Sequence, residues 1–372
     1  MKKKYFISAV LMLIASTVMP TQAWAEGTDA GITSVTYSDG EITDDDINII
    51  RNTTWTDGYE FVTYVSPEEA MNNWHIEADG TNTLVFVGGT LHEGGSLLVL
   101  RRKGNMLFTD ANTEYQLIPS GDRVFFDKEN KMLIFRDAEF GSMHGLLKPI
   151  ADASHLEKMV KTDLRRLVVA GTYTDNKGGE HVFSTTENKA SNIVEGIDTY
   201  DFAVTYDMPR PILLIGGLFL GVNTTEDGIE LVPMRYYQDN DYYDPIPGSI
   251  ILSLTRTSGT NDVRYPLLST EYFTLPQLLT YAGTSNYTSI QYSWREQIQQ
   301  QVDKLAVMRN EIFARHGYIF SSKKWKDYFG KMSWYKPTAT DVNANLTEIE
   351  TINIELIRYL EKRLKEEIKK AL

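Results

Sequence analysis

LVFVGGTLHEGGSLLVL, residues 84–100, holds two short apolar runs, Leu84-Val85-Phe86-Val87 and Ser96-Leu97-Leu98-Val99-Leu100, with Glu93-Gly94-Gly95 as turn chemistry before the second. Runs this short, rich in branched side chains and bounded by residues that reverse the chain, read as strands of hairpins. The same texture recurs at Tyr59–Val65, Met132–Phe135 and Ile250–Leu254. Turns are marked by Asp79-Gly80, Ser120-Gly121-Asp122, Asn176-Lys177-Gly178-Gly179 and Asp227-Gly228. Short strands at such spacing predict sandwich-like or barrel-like units that are mostly antiparallel.

One helix interrupts the strands. Ser154 and Glu157 form a capping-box pattern, and Leu156, Met159, Val160, Leu164 and Leu167 follow at helical spacing. The flanking stretches look alike. Thr54-Trp55-Thr56-Asp57 matches Thr172-Tyr173-Thr174-Asp175, and Val85–Leu91 matches Leu213–Phe219. The likeness fits two copies of one β unit, although hairpin-rich sequences also resemble each other by composition alone.

Charge divides the chain. The 372 residues carry 37 Lys+Arg against 50 Asp+Glu, and residues 26–290 hold 19 cationic against 39 acidic side chains while residues 291–372 hold 15 against 11. Long helical periodicity begins where the charge changes. The expected organisation is therefore residues 1–25 as a signal peptide, 26–150 as a first β unit, 151–168 as a connecting helix, 169–290 as a second β unit and 291–372 as a helical domain. As a whole the fold class is α+β, an acidic all-β region of one or two units followed by a small three-helix module. An acidic chain lacks the basic face that displaces phosphate counterions, so nucleic acid is not an expected partner.

Three lysines (Lys2, Lys3, Lys4), an apolar run over residues 6–15 and the small residues of Ala23-Trp24-Ala25 make a secretory signal with cleavage after Ala25. The apolar run is about half the length needed to span a bilayer, and no later segment reaches it. The expected location is the periplasm, the cell surface or the exterior of a bacterium. With no Cys anywhere, disulfides, Cys nucleophiles, Cys-ligated zinc and iron–sulfur clusters are excluded.

From Trp294 onward, Ile298, Val302, Leu305, Met308 and Ile312 form an apolar helical stripe. Gly317 is placed to end that helix in the left-handed conformation, and Glu311 and Arg315 are spaced as an exposed ion pair. A second helix is predicted from Ser321 or Ser322 to Gly330. A third starts at the capping box of Thr347 and Glu350. Arg309 falls on the apolar face and needs a buried partner, for which Asp327 and Glu350 are the candidates.

The run Met308-Arg309-Asn310-Glu311-Ile312-Phe313-Ala314-Arg315-His316-Gly317-Tyr318-Ile319-Phe320, followed by Tyr328-Phe329, Trp334-Tyr335-Lys336-Pro337 and Asn345–Glu350, closely resembles the YARHG domain over about residues 295–362. Phe313 stands where the motif's name has Tyr. The resemblance implies a bacterial exported or envelope protein and carries no activity with it.

Candidate binding residues are Arg309, Arg315, His316, Trp334 and Tyr335 in that module. Arginine recognises carboxylate or phosphate and histidine titrates near neutrality. A helix cap accounts for Arg315-His316-Gly317 equally well. A second candidate is the tyrosine-dense stretch Met234–Pro245, read as a long loop, in which Tyr236, Tyr237, Tyr242 and Tyr243 offer faces for stacking on sugar rings. Metal chemistry lacks a motif, because His75, His92, His144, His155, His181 and His316 are widely separated. Gly141-Ser142-Met143-His144-Gly145 has the wrong spacing for a nucleophile elbow. No catalytic residue is assigned and no cofactor is expected. The reading this supports is a non-catalytic protein that binds a glycan, a cell-wall component or an envelope protein. The alternatives are a carboxylate-dependent glycan hydrolase and an assembly factor.

Overall fold

The computed structural model describes residues 41–370 except 78, 80–81, 91–93, 111–117, 119–120, 139–140, 204–210, 238–241, 250, 258–262 and 284–293. The expected signal peptide and its cleavage site lie outside the described residues. The chain forms two compact units. One gathers the described residues up to Glu157 with Tyr272–Pro276 and Thr347–Tyr359, and the other holds Lys158–Glu271, Gln277–Leu346 and the chain from Leu360 onward.

The first unit is built on a closed eight-stranded antiparallel barrel. Its strands are β1 (Thr54–Thr56), β2 (Phe61–Val65), β3 (Thr83–Gly89), β4 (Gly94–Lys103), β5 (Met106–Thr109), β6 (Arg123–Asp127), β7 (Met132–Arg136) and β8 (Met143–Ile150). Each strand pairs with the next, and β1 closes on β8 with Trp55 opposite Pro149. Alternation sends Val62, Leu84, Phe86, Leu98, Leu100, Leu107, Val124, Leu133, Phe135 and Leu147 into one core with Trp55. The reverse faces of β3 and β4 are also buried. Val85, Leu97 and Val99 pack with Ala70 of helix α2 (Pro67–Trp74). Burial on both faces is why residues 84–100 read as continuous apolar runs rather than as an alternating pattern.

Helix α1 (Asp44–Arg51) precedes the barrel, capped by reciprocal bonds between Thr43 and Asp46. The acidic triplet Asp44-Asp45-Asp46 is the first turn of this helix, where negative charge suits the dipole. The Trp55 indole N–H donates to the carbonyl of Ile50 at 3.1 Å, tying helix to barrel.

The predicted central helix forms, but its cap differs from expectation. A 3-10 turn, Ala153–His155, leads into α3 (Leu156–Asp163), and Asp152 accepts the N–H of Ser154 at 2.8 Å. An aspartate two residues earlier thus takes the Ser154 N–H that the Glu157 side chain was expected to accept.

In the second unit, strands β9 (Gly171–Asp175), β10 (Glu180–Phe183), β11 (Lys189–Val194), β12 (Ile197–Thr199), β13 (Asp201–Ala203), β14 (Ile212–Ile215), β15 (Leu218–Thr224), β16 (Gly228–Tyr237), β17 (Tyr242–Pro245) and β18 (Leu252–Arg256) form one antiparallel sheet. Its order is β12-β11-β10-β9-β18-β16-β15-β14-β13, with β17 as a flap on β16. The two ends of that order, β12 and β13, are separated in sequence only by Tyr200. Counted as one broken strand, they make an eight-strand meander in which β9 meets β18 as β1 meets β8.

The likeness extends to detail. Tyr173 donates its hydroxyl to Val169 in the preceding helical turn at 2.9 Å, as Trp55 does to Ile50. Asp57 and Asp175 each use one carboxylate oxygen to accept two backbone N–H groups of the following turn. The second sequence match fails, because Leu213–Phe219 reverses over Gly216–Gly217 between β14 and β15 whereas Val85–Gly89 is the end of a single strand. Strand order sets β3 against β11.

The helices after the sheet are α4 (Leu275–Ala282), α5 (Trp294–Arg315), α6 (Lys323–Phe329) and α7 (Glu348–Lys370). Within the second unit, Lys304 of α5 donates to the hydroxyl of Thr224 at 2.7 Å. Among the described residues no helix is long and apolar enough to cross a membrane.

Candidate functional site

Arg309 and Glu311 of the α5 motif have partners inside the protein. Arg309, Asn310 and Glu311 are 5%, 5% and 2% exposed, three consecutive polar side chains in a protein interior. Each is satisfied, as burial requires. Arg309 pairs with Glu361 through two bonds of 3.2 and 3.3 Å. The two expected partners are engaged elsewhere: Glu350 closes the α7 capping box with Thr347, and Asp327 is bound by Lys323.

Glu311 also departs from the expected exposed pair. It is buried and accepts the N–H groups of Tyr265 at 2.7 Å and Arg264 at 3.0 Å. Burial pushes its carboxyl up, and the Tyr265 N–H, the charge of Arg315 and the Arg264 N–H oppose that push. Arg315 therefore acts on Glu311 by its charge, but from a half-buried position.

Gly317 ends α5 in the left-handed conformation, at φ +78°. The Tyr318 N–H reaches back to Phe313 O at 3.1 Å and the Gly317 N–H to Ala314 O at 2.9 Å. This paired pattern is the Schellman cap, whose usual companion is an apolar contact between its two outer residues. Here that contact is Phe313 on Tyr318, with ring centroids 5.8 Å apart. The motif's aromatic, its Gly and the Tyr that follows are thus one capping device. His316 adds a backbone bond to Phe313 O at 3.2 Å.

Trp334 and Tyr335 belong to an aromatic cluster centred on Phe329, at ring distances of 6.1 and 5.9 Å. The Tyr335 hydroxyl donates to Tyr318 O at 2.8 Å. Their packing role is what the structure adds to the sequence reading.

The tyrosine-dense stretch is a hairpin of β16 and β17, not a long loop. Tyr236 faces Tyr243 across the ladder, their rings 4.7 Å apart and both against Phe219. These two close a small apolar cluster with Ile212, Val232 and Met234. Alternation sends Tyr237 to the opposite face, where it is 40% exposed. The side chain of Tyr242 lies outside the described residues.

Two groupings carry chemistry that spacing did not signal. At the β1–β2 turn, burial and the Asp57 charge push the Glu60 carboxyl up to about 7, against a hydrogen bond from Ser96. Burial likewise raises Asp57, to about 6, against the N–H bonds it accepts. At the other grouping, Asp122, Asp137 and His144 each offer a ligand atom, all within 4.8 Å of one another. Lys304 is pushed down to about 8 by burial and the charge of Arg264.

The raised pair gives a pH prediction. A carboxyl whose folded pKa lies above its unfolded value favours the fold while protonated, and that contribution disappears as pH rises from about 4.5 through about 7. Glu60→Gln is therefore expected to stabilise the chain by about 2–3 kcal/mol at pH 8 and by less than about 1 kcal/mol at pH 5. Urea midpoints at the two pH values check this. Equal shifts at both would show that Glu60 is ionised without penalty.

Residues 285–362 match the family model of the YARHG domain. This domain is typical of extracellular and periplasmic proteins. No curated protein and no solved structure matches the chain.

Proposed function

We propose that the protein is exported from a bacterial cell and acts in the envelope or outside it as a non-catalytic binding protein for a glycan, a cell-wall component or an envelope protein. The observation that supports this best is the interior of the first barrel. Phe86, Leu98, Leu100, Leu107, Leu133, Phe135 and Leu147 fill it, all fully buried. A filled eight-stranded barrel holds no ligand, so recognition falls to outer surfaces. The motif's Arg309 and Glu311 are committed to the fold, which leaves Tyr237 as the exposed candidate for a stacking contact. Residues 1–25 and the YARHG match supply the case for export.

The test is co-sedimentation of the mature chain, from Glu26, with purified peptidoglycan across a salt series. The expected result is pelleting that weakens as ionic strength rises, with a reduced pelleted fraction for Tyr237→Ala. Absence of pelleting at low salt overturns wall binding. Paired acids at Asp57 and Glu60 favour a second reading, a carboxylate-dependent glycan hydrolase. Release of soluble muropeptides that stops in Glu60→Gln would select it over the first.

A further inference from the structure

We infer that Asp122, Asp137 and His144 form a binding site for one divalent transition cation of the zinc or manganese class. The three residues are 15 and 7 positions apart in sequence, yet the barrel brings them to one end of adjacent strands. Asp122 directly precedes β6, Asp137 directly follows β7, and His144 is the second residue of β8. Arg123 pairs with Arg136 across β6 and β7, which sets the two aspartates beside one another.

His144 is placed by an irregularity. In the β7–β8 ladder Phe135 faces Gly145 and Arg136 faces Met143, so His144 is the extra residue of a β-bulge. Bulges re-aim side chains at the rims of barrels and are over-represented beside functional sites. Here the bulge turns the imidazole onto Asp122, with Nδ1 3.0 Å from each carboxylate oxygen. The ring of Tyr359 stacks on the imidazole, centroids 4.9 Å apart, and fixes its plane.

Asp122 is equally constrained. Its backbone exchanges bonds with Thr109, donating to Oγ1 at 2.9 Å and accepting from the N–H at 2.8 Å. Its side chain is 3% exposed, that of His144 19%. Such burial makes a carboxylate costly unless a cation or donor meets it. One ligand is therefore deep and two lie nearer solvent.

Donor chemistry selects the ion. An oxygen-only set would suit calcium or magnesium, whereas one imidazole with two carboxylates suits zinc, manganese or ferrous iron. Ligand bonds of about 2.0–2.2 Å place neighbouring ligand atoms about 3.0–3.6 Å apart. The Asp122–His144 spacing of 3.0 Å is already of that size, and Asp137 need close only the remainder of a 4.8 Å cluster. Among the described residues no other three His, Asp or Glu side chains come as close. His181 with Asp175 and His155 with Asp152 are pairs only.

The test is calorimetric titration of the tag-free mature chain, freed of metal with a chelator, against zinc chloride and separately manganese chloride. Wild type is expected to bind one equivalent of at least one ion with a dissociation constant of about 10 μM or tighter, and Asp137→Asn to weaken that binding about tenfold or more. His144→Gln is expected to abolish it. Asp175→Asn, at the second unit's His–Asp pair, leaves it unchanged. Asp137 is half-exposed at a strand end, so its variant keeps the fold, which far-UV circular dichroism in chelator verifies. No binding of either ion by wild type at about 1 mM, or equal binding by Asp137→Asn, overturns the inference and leaves an Asp–His hydrogen bond.

Discussion

Arg309→Met is expected to destabilise the second unit by about 3–5 kcal/mol, because it strands the Glu361 carboxylate in the interior. Both partners are nearly buried, with side-chain exposures of 6% and 7%. The attraction between them offsets the cost of removing two charges from water, so the pair taken whole adds little net stability, while half of it is strongly unfavourable. Removing both charges separates these effects. Arg309→Met with Glu361→Leu is expected to recover most of the loss. The exposed Lys323–Asp327 pair provides the contrast. Both of its side chains are more than half exposed, and Lys323→Ala is expected to change stability by less than about 0.5 kcal/mol. Guanidinium denaturation followed by near-ultraviolet circular dichroism reads all four proteins. A loss below about 1 kcal/mol for Arg309→Met would mean that water reaches Glu361 and that the pair is not a buried one.

The same contrast explains what could be read from the sequence. Strand runs, turns, the Thr347–Glu350 capping box and the Gly317 cap were legible because their causes lie within a few residues. So was the demand of Arg309 for a partner, since an arginine on an apolar helical face has nowhere else to go. Its partner was not legible, because Glu350 and Glu361 both lie on α7, and only the capping box that takes up Glu350 and the packing of the later turns of α7 beside α5 within the second unit select Glu361. Glu311 was misread for a related reason: Arg315 at i,i+4 offered a local explanation, and the backbone N–H groups that claim it belong to Arg264 and Tyr265. Tyr236 and Tyr243 looked like a loop because their pairing depends on the register of β16 with β17. The Asp122, Asp137 and His144 cluster needed three strand ends and a bulge, none of which leaves a spacing motif. The likeness of the two β units was half visible. Thr-Trp/Tyr-Thr-Asp recurs because helix, strand and turn each fix one of its residues, whereas the later strands keep only their apolar character.

Gly317→Ala is expected to cost about 3 kcal/mol, and two separable causes add to that figure. The first is conformational. At φ +78° a Cβ crowds the following carbonyl, at a cost of about 1–2 kcal/mol. The second is steric. The new methyl would fall 2.4 Å from the Thr338 hydroxyl and 2.8 Å from the Lys336 carbonyl oxygen. The segment cannot simply withdraw, since Thr338 and Ala339 donate their N–H groups to Gly317 O at 2.7 and 3.1 Å, and Ile319 donates to Ala339 O at 2.7 Å. Displacing it also disturbs Tyr335, whose hydroxyl holds Tyr318 O, and with it the Phe313–Tyr318 contact of the cap. Thermal unfolding is expected to fall by about 6–12 °C. Gly317→Asn distinguishes the causes, because asparagine tolerates the left-handed region but still carries a Cβ. If close approach of the 336–339 segment dominates, the asparagine variant is nearly as unstable as the alanine one, and Thr338→Ala in the same chain recovers only the hydroxyl's share. An asparagine variant that melts like wild type would show that the glycine is demanded by backbone conformation alone and that the neighbouring segment yields freely.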